Sequence, residues 1–375
     1  MIGVGCGRPS GGGGGSIPTL TIGVFSDAGL TNPITTANFN DTIYINLSVS
    51  GITATNYRFF VSETNAFELT EQSSATLEWT VGTFNDIMIY AEGDDGSIIS
   101  ASLDVFTVAI NSDIDAEAFI AKHNAESGQT MAIAQQQVIQ GLFQRIKGIG
   151  TTFGSDLWTL LVNSNSEVYP FCPVSDSVIN VAACAVDMID PSVTASFVNF
   201  LPSDFTANGI TGASSKYMEM KRAPSDFNQN SIGIDGYNRS SLIGTRTIVG
   251  ANDGTAANST GTLAFLSNYK INGSFVSFTD SSVLGLNSLN RTTATHADRY
   301  RDGVLVKSQT NTSAAPITNK FYGFANNTGS VSEYYFTGEL AMIAARRGFT
   351  TNEMADWNEA WLYYQTNIIT GGRNV

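Results

Sequence analysis

The chain has 375 residues, of which 42% are hydrophobic and 14% charged, a composition that excludes the highly charged, weakly hydrophobic class of disordered proteins. Its 19 basic and 33 acidic side chains give a net charge of −14, which argues against nucleic acid or an anionic bilayer as a partner. Two histidines and three cysteines leave little material for a zinc site or a histidine-based triad.

The first 16 residues read MIGVGCGRPSGGGGGS and are rich in glycine. They lack a basic stretch followed by an apolar one, so we expect no secretory or lipoprotein signal. A flexible linker is one interpretation. A glycine-rich segment loses much backbone entropy when it becomes ordered, so it needs contacts with other parts of a structure to hold it in place. We favour a peptide that neighbouring subunits of an assembly hold in this way. The predicted assembly anchor consists of Gly3, Gly5, Cys6, Gly11, Gly12, Gly13, Gly14 and Gly15.

Short apolar segments between Ile17 and Val108 predict strands. Ile43, Ile45 and Leu47 alternate with polar residues, as in a strand with one buried face. Residues 92–96 have the composition of a hairpin turn. This density of strands indicates a small β-sandwich. The predicted strands are Thr19–Phe25, Thr42–Val49, Tyr57–Val61, Thr76–Val81, Asp86–Tyr90 and Ile98–Val108.

The pattern becomes helical after the polar residues 111–113, which mark a domain boundary. We predict a helix from Asp115 to Glu126 that Gly128 ends, and a second helix from Met131 to Lys147 with one apolar face. The two helices are expected to cover one side of the domain that follows.

Strand-like segments return from about Pro170 onward and predict a second, larger β domain. Asp302 and Gly303 supply the two positive-φ positions of a tight hairpin turn. The predicted strands are Tyr217–Met220, Ser231–Ile234, Arg246–Val249, Thr262–Leu266, Ser274–Phe278, Arg299–Lys307 and Tyr334–Ala345.

A C-terminal helix is predicted to start at Thr351, because Thr350 and Glu353 have the spacing of a capping box. An apolar stripe follows at three- and four-residue spacing and should pack against the β domain. It consists of Met354, Trp357, Trp361 and Tyr364.

Four stretches resemble the concanavalin A-like (laminin G-like) jelly-roll domains of phage tail and fibre proteins, and the resemblance covers about residues 113–370. They are Ile210–Met218, Asn228–Ile234, Asp302–Val304 and Tyr335–Leu340. Residues 156–158 resemble the entry to that module. The N-terminal segment is similar to the starts of phage virion proteins, and residues 17–108 resemble an immunoglobulin-like or PKD-like module. The resemblance implies a virion component made in the host cytoplasm and displayed at the particle surface.

Some members of the jelly-roll superfamily are glucanases, whose acidic residues occupy alternate strand positions. Asp113, Asp115 and Glu117 have this spacing but lie where a helix begins, so we interpret them as capping residues. The pairs Asp94–Asp95 and Asp187/Asp190 sit at turn-like positions and lack a third acid. The sequence contains no nucleophile elbow, P-loop or zinc-protease motif. We therefore expect no catalytic residues and a protein that is not an enzyme.

Laminin G-like domains often bind sugars, sometimes with calcium held in rim loops. Residues 252–254 and 326–329 carry suitable oxygens, although tight turns use the same residue types. We expect no cofactor and leave calcium in these loops as an alternative. Cys172 and Cys184 could form a disulfide, but a reducing cytoplasm favours two buried thiols.

These inferences predict a mainly β protein in four parts: an anchoring peptide (1–16), an immunoglobulin-like sandwich (17–110), a helical connector (111–162) and a jelly roll with a C-terminal helix (163–375). The leading hypothesis is a fibre, spike or receptor-binding component that joins other virion proteins through its N-terminus and contacts host carbohydrate. A homo-oligomer, by analogy a trimer, fits that role. The alternatives are a capsid or tail brace without receptor binding and, with least support, a glycan depolymerase.

Overall fold

The structure of the protein is a computed structural model that divides the chain into two compact units, Met1–Ser112 and Asp113–Val375. It describes residues 19–37, 41–50, 53–62, 67–81, 87–94, 99–100, 105–110, 112–240, 247–252, 260–264, 268–269, 271, 276–277, 284–329 and 332–373. The predicted assembly anchor, Gly3 to Gly15 with Cys6, therefore lies outside the described residues.

The N-terminal unit is a β-sandwich. One sheet has the strand order β1-β3-β6, and the other has the order β2-β9-β7-β4-β5 with β8 paired to β7. Ile43 and Ile45 of the first sheet share a core with Phe59 and Val61 of the second. The strands are β1 (Thr19–Phe25), β2 (Thr36–Ala37), β3 (Thr42–Ser50), β4 (Asn56–Ser62), β5 (Phe67–Gln72), β6 (Thr76–Thr80), β7 (Ile87–Asp94), β8 (Ile99–Ser100) and β9 (Val105–Ile110).

The six strand segments predicted in this unit coincide with β1, β3, β4, β6, β7 and the pair β8 and β9, whereas the two-residue strand β2 and the longer β5 were not predicted. The reason is clear for β5. Its sequence FELTEQ carries three polar side chains among its last four residues, which hides the strand pattern. The predicted turn at 92–96 falls partly outside the described residues. Its first three residues continue β7, which pairs with β8 beyond the gap.

The C-terminal unit begins with helices and continues with two large sheets and the two-stranded sheet β18-β19. Its helices are α1 (Ile114–Ser127), α2 (Ile133–Ile146), α3 (Leu157–Val162), α4 (Val181–Cys184) and α5 (Thr351–Asn367), with 3-10 turns at Pro202–Asp204 and Pro224–Asp226. Its strands are β10 (Glu167–Tyr169), β11 (Ser196–Val198), β12 (Phe205–Thr206), β13 (Gly209–Thr211), β14 (Tyr217–Glu219), β15 (Ile232–Asn238), β16 (Thr247–Ala251), β17 (Thr260–Ala264), β18 (Asn268–Tyr269), β19 (Val276–Ser277), β20 (Gly285–Arg291), β21 (His296–Arg301), β22 (Val304–Thr310), β23 (Tyr322–Gly323), β24 (Asn326–Asn327), β25 (Ser332–Glu333) and β26 (Glu339–Arg346).

Two sheets of this unit pack face to face. The larger has the order β12-β13-β26-β15-β20-β21-β22 with β10 on β26, and the smaller has the order β11-β14-β23-β16-β24-β25 with β17 on β16. Ile234 and Ile343 of the larger sheet share a buried core with Met218 and Val249 of the smaller. Alternate residues of the same strands therefore point to the sheet's other face.

Helices α1, α2, α3 and α5 cover that other face and form a second core with it. Trp357 and Trp361 of α5 are fully buried there, as the apolar stripe predicts. The capping box is present: Thr350 Oγ1 accepts from the N–H of Glu353, and Glu353 Oε2 accepts from the N–H of Thr350 at 2.6 Å. The unit is thus a three-layer structure of helices, sheet and sheet, and the mainly β fold class is confirmed.

The hairpin between β21 and β22 has the predicted turn. Asp302 and Gly303 both have positive φ, at 47° and 74°. A Cβ on Gly303 would lie 2.8 Å from Cβ of Asn358, so the turn also lies close against α5. Glycine satisfies both requirements at this position.

Cys172 and Cys184 are both buried and free, and burial raises the pKa of the Cys172 thiol to about 12. Thiols protonated in this way are poor nucleophiles. In the part of the chain that the structure describes, no helix combines the length and apolarity needed to cross a membrane.

Candidate ligand-binding site

A cleft of about 380 Å³ opens at the end of the larger sheet where β15 begins and β26 ends. This volume lies within the range of roughly 300–1,000 Å³ that is typical of small-molecule sites. Strands β15 and β26 are antiparallel, and Gly233 pairs with Arg346. Ser231 and Arg347, which lie just outside the two strands, therefore line the same opening.

Three parts of the chain supply the walls of the cleft. Residues 163–165 form the turn between α3 and β10, and Asn165 has a positive φ of 52° there. Residues 226–228 end the 3-10 turn and continue beyond it. The N–H of Ser231 donates to the carbonyl of Asn228 at 2.9 Å, and Ser231 Oγ accepts from the N–H of Gly348 at 3.2 Å. The third wall consists of Ser231 and Arg347, and these bonds connect it to residues 226–228.

Several polar side chains of the cleft keep a hydrogen-bonding atom free of protein partners. Asn163 makes no side-chain hydrogen bond to any described residue. Asp226 Oδ2 accepts from the N–H of Ala223 at 2.7 Å, which leaves Oδ1 available. Asn228 Oδ1 accepts from the N–H of Asn230 at 2.9 Å, which leaves the amide NH₂ available. The lining thus presents both donors and acceptors to solvent.

Arg347 carries the positive charge of the cleft. Its Nε donates to the carbonyl of Gly348 at 3.2 Å, and its Nη2 lies 4.0 Å from Glu353 Oε1. An ion pair of that length between partly exposed groups contributes little. The outer guanidinium nitrogens therefore retain donors for a ligand, opposite in charge to the carboxylate of Asp226.

The chemistry of the lining favours a ligand with many hydroxyl groups. Amide, hydroxyl, carboxylate and guanidinium groups surround the opening, and Phe227 is buried behind them with its ring centroid 6.3 Å from that of Phe321. An apolar ligand would leave the polar groups unpaired, which is unfavourable. Hydroxyl groups both donate and accept, so they match a mixed lining.

Asp113, Asp115 and Glu117, the acids with glucanase-like spacing, do not line this cleft. Asp113 Oδ1 caps α1 by accepting from the N–H groups of Asp115 and Ala116, at 3.0 and 3.2 Å. Lys147 Nζ lies 2.8 Å from Asp113 Oδ1 and 2.6 Å from Asp115 Oδ2. Burial acts to lower the pKa of Lys147, but the hydrogen bonds to Asp113 and Asp115 and the negative charges of these two residues together raise it. The geometry matches the capping interpretation.

The structure places the described acids of the other two pairs, Asp187/Asp190 and Asp94–Asp95, at different kinds of position. Asp190 sits in a turn, where its Oδ1 accepts from the N–H of Ser192 at 3.1 Å. Asp187 was expected in a similar position but is buried, and its Oδ1 accepts from the N–H groups of Val168 and Ile189 at 2.9 and 3.0 Å. Asp94 ends β7, and residue 95 lies outside the described residues.

In the loops considered for calcium, residues 326 and 327 form strand β24, and the side chain of Asn327 is used in hydrogen bonds within the protein. Asn327 Oδ1 accepts from the N–H of Gly329 at 2.8 Å, and its amide donates to the carbonyl of Lys320 at 2.9 Å. Residues 253 and 254 lie outside the described part. Across the residues that the structure describes, no group of three or more His, Cys, Asp or Glu side chains is placed to hold a metal ion.

The cleft itself was missed in the sequence. Its lining comes from residues 163–165, 226–231 and 347, which are more than 50 residues apart in the chain. These are short polar segments of a kind that recurs throughout the sequence. One signal was present: residues 228–234 belong to the stretches that carry the jelly-roll resemblance. It marked the start of β15 without indicating a site.

No protein-family model and no curated protein matches the chain. Among solved structures, a mutant of Trypanosoma rangeli sialidase displaying trans-sialidase activity is 10% identical, with a TM-score of 0.38, over 89% of this chain and 60% of its own. Domain 4 of AbnA, a GH43 extracellular arabinanase from Geobacillus stearothermophilus in complex with arabinotriose, is 12% identical, with a TM-score of 0.28, over 51% of this chain and 96% of its own. The binding domain of botulinum neurotoxin serotype D is 11% identical, with a TM-score of 0.28, over 46% and 47%.

Sialidases thus stand among the similar structures, and this contradicts our expectation from the sequence that the chain is not an enzyme. We withdraw that expectation. The chain spans 60% of the length of the first sialidase. Likenesses of this size assign neither an activity nor a ligand to it.

Proposed function

We propose that the protein is a virion component displayed on a phage particle and that the cleft of its C-terminal unit binds glycans of the host surface. The observation that carries the glycan part of the proposal is the lining of the cleft. Asn163, Asp226, Asn228 and Arg347 offer hydrogen-bonding atoms that no described residue uses, around a volume of about 380 Å³. A sugar ring has many hydroxyl groups to pair with such atoms.

The overall charge supports an uncharged glycan as the main ligand. A chain with a net charge of −14 repels polyanions such as nucleic acids at long range. Within the cleft, the charges of Asp226 and Arg347 balance each other. Neutral or weakly charged sugars are therefore repelled least by the protein.

The virion setting rests on the sequence resemblance. In the proposal, Gly3, Gly5, Cys6 and Gly11–Gly15 anchor the chain to other virion proteins, the N-terminal sandwich is an immunoglobulin-like spacer, and the C-terminal unit presents the cleft. A cleft of this size contacts few hydroxyl groups and binds weakly, so a trimer would gain avidity from linked sites. No cofactor is part of the proposal.

Saturation-transfer NMR on the full chain tests the cleft directly. The probes are the methyl glycosides of glucose, galactose, N-acetylglucosamine and glucuronic acid. We expect at least one to bind, and Asn163→Ala to weaken it severalfold, since a hydrogen bond between neutral groups contributes about 0.5–1.5 kcal/mol. Asn163 has no protein hydrogen bond to lose, so the variant should remain as stable as the wild type.

Asn208→Ala is the matched control. Asn208 is also an exposed turn asparagine, but it lies between β12 and β13, near the start of β26 and not near its end. Its variant should bind as the wild type does. A wild-type chain that binds none of the four glycosides would favour a structural brace, and equal losses in the two variants would move the site away from the cleft.

A further inference from the structure

Glu167 is the first residue of β10, and its side chain is fully buried next to the cleft. Its Oε2 accepts from the backbone N–H of Lys221 at 3.0 Å, and its Oε1 accepts from that of Arg222 at 3.1 Å. The hydroxyl of Tyr169 donates to Oε2 at 2.8 Å. A carboxylate can accept several hydrogen bonds, so one side chain holds two consecutive backbone amides.

These bonds join two walls of the cleft. Glu167 comes two residues after Asn165, and Arg222 comes four residues before Asp226. Among the described residues, the other direct hydrogen bond between segments 163–167 and 221–228 runs from the amide of Asn165 to the carbonyl of Asp226, at 3.4 Å. The spacing of the two walls therefore depends mainly on Glu167.

Resting on the function proposed above, we propose that Glu167 is a positioning residue that sets the distance between the two walls and so determines how well the cleft binds a sugar. The carboxylate is not in the cleft lining and acts through the segments it holds.

Burial and the neighbouring groups together set the protonation of Glu167. Burial raises the pKa of Glu167, while the two N–H groups, Tyr169 and the charge of Arg222 act to lower it. The buried carboxyl of Asp187 is a further titratable neighbour, and its own pKa is raised by burial and by Glu167. Folding thus favours protonated Glu167, and ionisation lowers stability as the pH rises through the raised pKa.

Protonation also weakens the link between the walls. A protonated carboxyl carries an O–H donor in place of one accepting oxygen, so it cannot receive both backbone N–H groups as well as the carboxylate does. We therefore expect the two walls to loosen as the pH falls through the raised pKa of Glu167.

Hydrogen–deuterium exchange of the full chain, read by mass spectrometry, tests the inference with Glu167→Gln. The amide replaces one accepting oxygen by a donor, so the peptide that contains residues 221 and 222 should exchange about tenfold faster or more. Affinity for the glycoside that the wild type binds should fall about tenfold.

Glu219→Gln is the matched control, because Glu219 is a nearby glutamate on β14 whose carboxylate pairs with Lys320 at 3.3 Å near the surface. It should alter neither exchange nor affinity. Unchanged exchange in Glu167→Gln, or an equal response in the control, would overturn the inference. If the wild type binds none of the glycosides, the proposed function fails, and the exchange result still decides whether Glu167 holds the walls together.

A wild-type pH profile covers the case in which Glu167→Gln does not fold. Exchange at residues 221 and 222, corrected for its intrinsic rate, should rise as the pH falls toward 4.5, the ordinary value for a glutamate, with a midpoint above it. A flat profile down to that pH would contradict the inference.

Discussion

Arg346 and Arg347 are neighbours in the chain with opposite surroundings. Arg346, the last residue of β26, is fully buried, and its Nε and Nη2 donate to both carboxylate oxygens of Asp235 at 2.6 and 2.9 Å. Its guanidinium also lies 4.0 Å from the ring centroid of Phe349. Arg347 lies one residue beyond the strand and lines the cleft with nitrogens that have no close carboxylate partner.

Two consecutive arginines thus have different roles, one in the core and one at the cleft. Alternation along β26 directs Arg346 to the helix-covered face, where a charge must be paired to be tolerated. Arg347 stays partly exposed, so its charge is available to a ligand. A side chain whose hydrogen bonds are made within the protein supports the fold. A side chain that keeps free donors at a concave surface can bind a ligand.

Arg346→Ala should have the largest effect, because it leaves Asp235 as a buried charge without its bidentate partner. We expect the C-terminal unit to lose about 3–5 kcal/mol of unfolding free energy. Tryptophan fluorescence in urea measures it, since Trp357 and Trp361 lie in the same core. The double variant Arg346→Met/Asp235→Leu should recover much of the loss, and a double variant as unstable as the single one would contradict the reasoning.

Thr350→Ala should have an intermediate effect, because it removes the side-chain half of the capping box at the start of α5. The expected loss is about 1 kcal/mol. Thr366→Ala, an exposed threonine near the other end of the same helix, is the control and should change stability by less than about 0.5 kcal/mol. Equal losses in the two variants would mean that the cap contributes nothing.

Arg347→Gln should have the smallest effect on stability, less than about 0.5 kcal/mol, because the side chain is partly exposed and weakly paired. Its glycoside affinity should fall about tenfold or more, since hydrogen bonds from a charged group contribute about 1.5–3 kcal/mol. Arg347→Lys keeps the charge and should retain part of the affinity. Saturation-transfer NMR and urea unfolding together check the separation, and a large stability loss without a binding change would remove the contrast between the two arginines.

Features that depend on neighbouring residues could be predicted from the sequence. The capping box at Thr350, the turn at Asp302–Gly303 and the alternation around Ile45 each need only a few adjacent side chains, and the structure contains all three. The helix predicted over 115–126 is found at Ile114–Ser127 for the same reason.

The cleft could not be predicted, because its walls meet only through long-range strand pairing. Glu167 lies opposite Ala345 on β26, which in turn pairs with β15, and this pairing brings residues 163–165 beside Arg347. The burial of Glu167 and Asp187 follows from the same packing. In the linear sequence both acids look like surface residues, so their roles emerge only in three dimensions.

A crystal structure of the full chain with the bound methyl glycoside would show whether the cleft is the glycan site. We expect a sugar in the cleft, with hydroxyl groups within hydrogen-bond distance of the side chains of Asn163, Asn228 and Arg347. A sugar bound elsewhere on the protein, with the cleft holding solvent alone, would contradict this expectation.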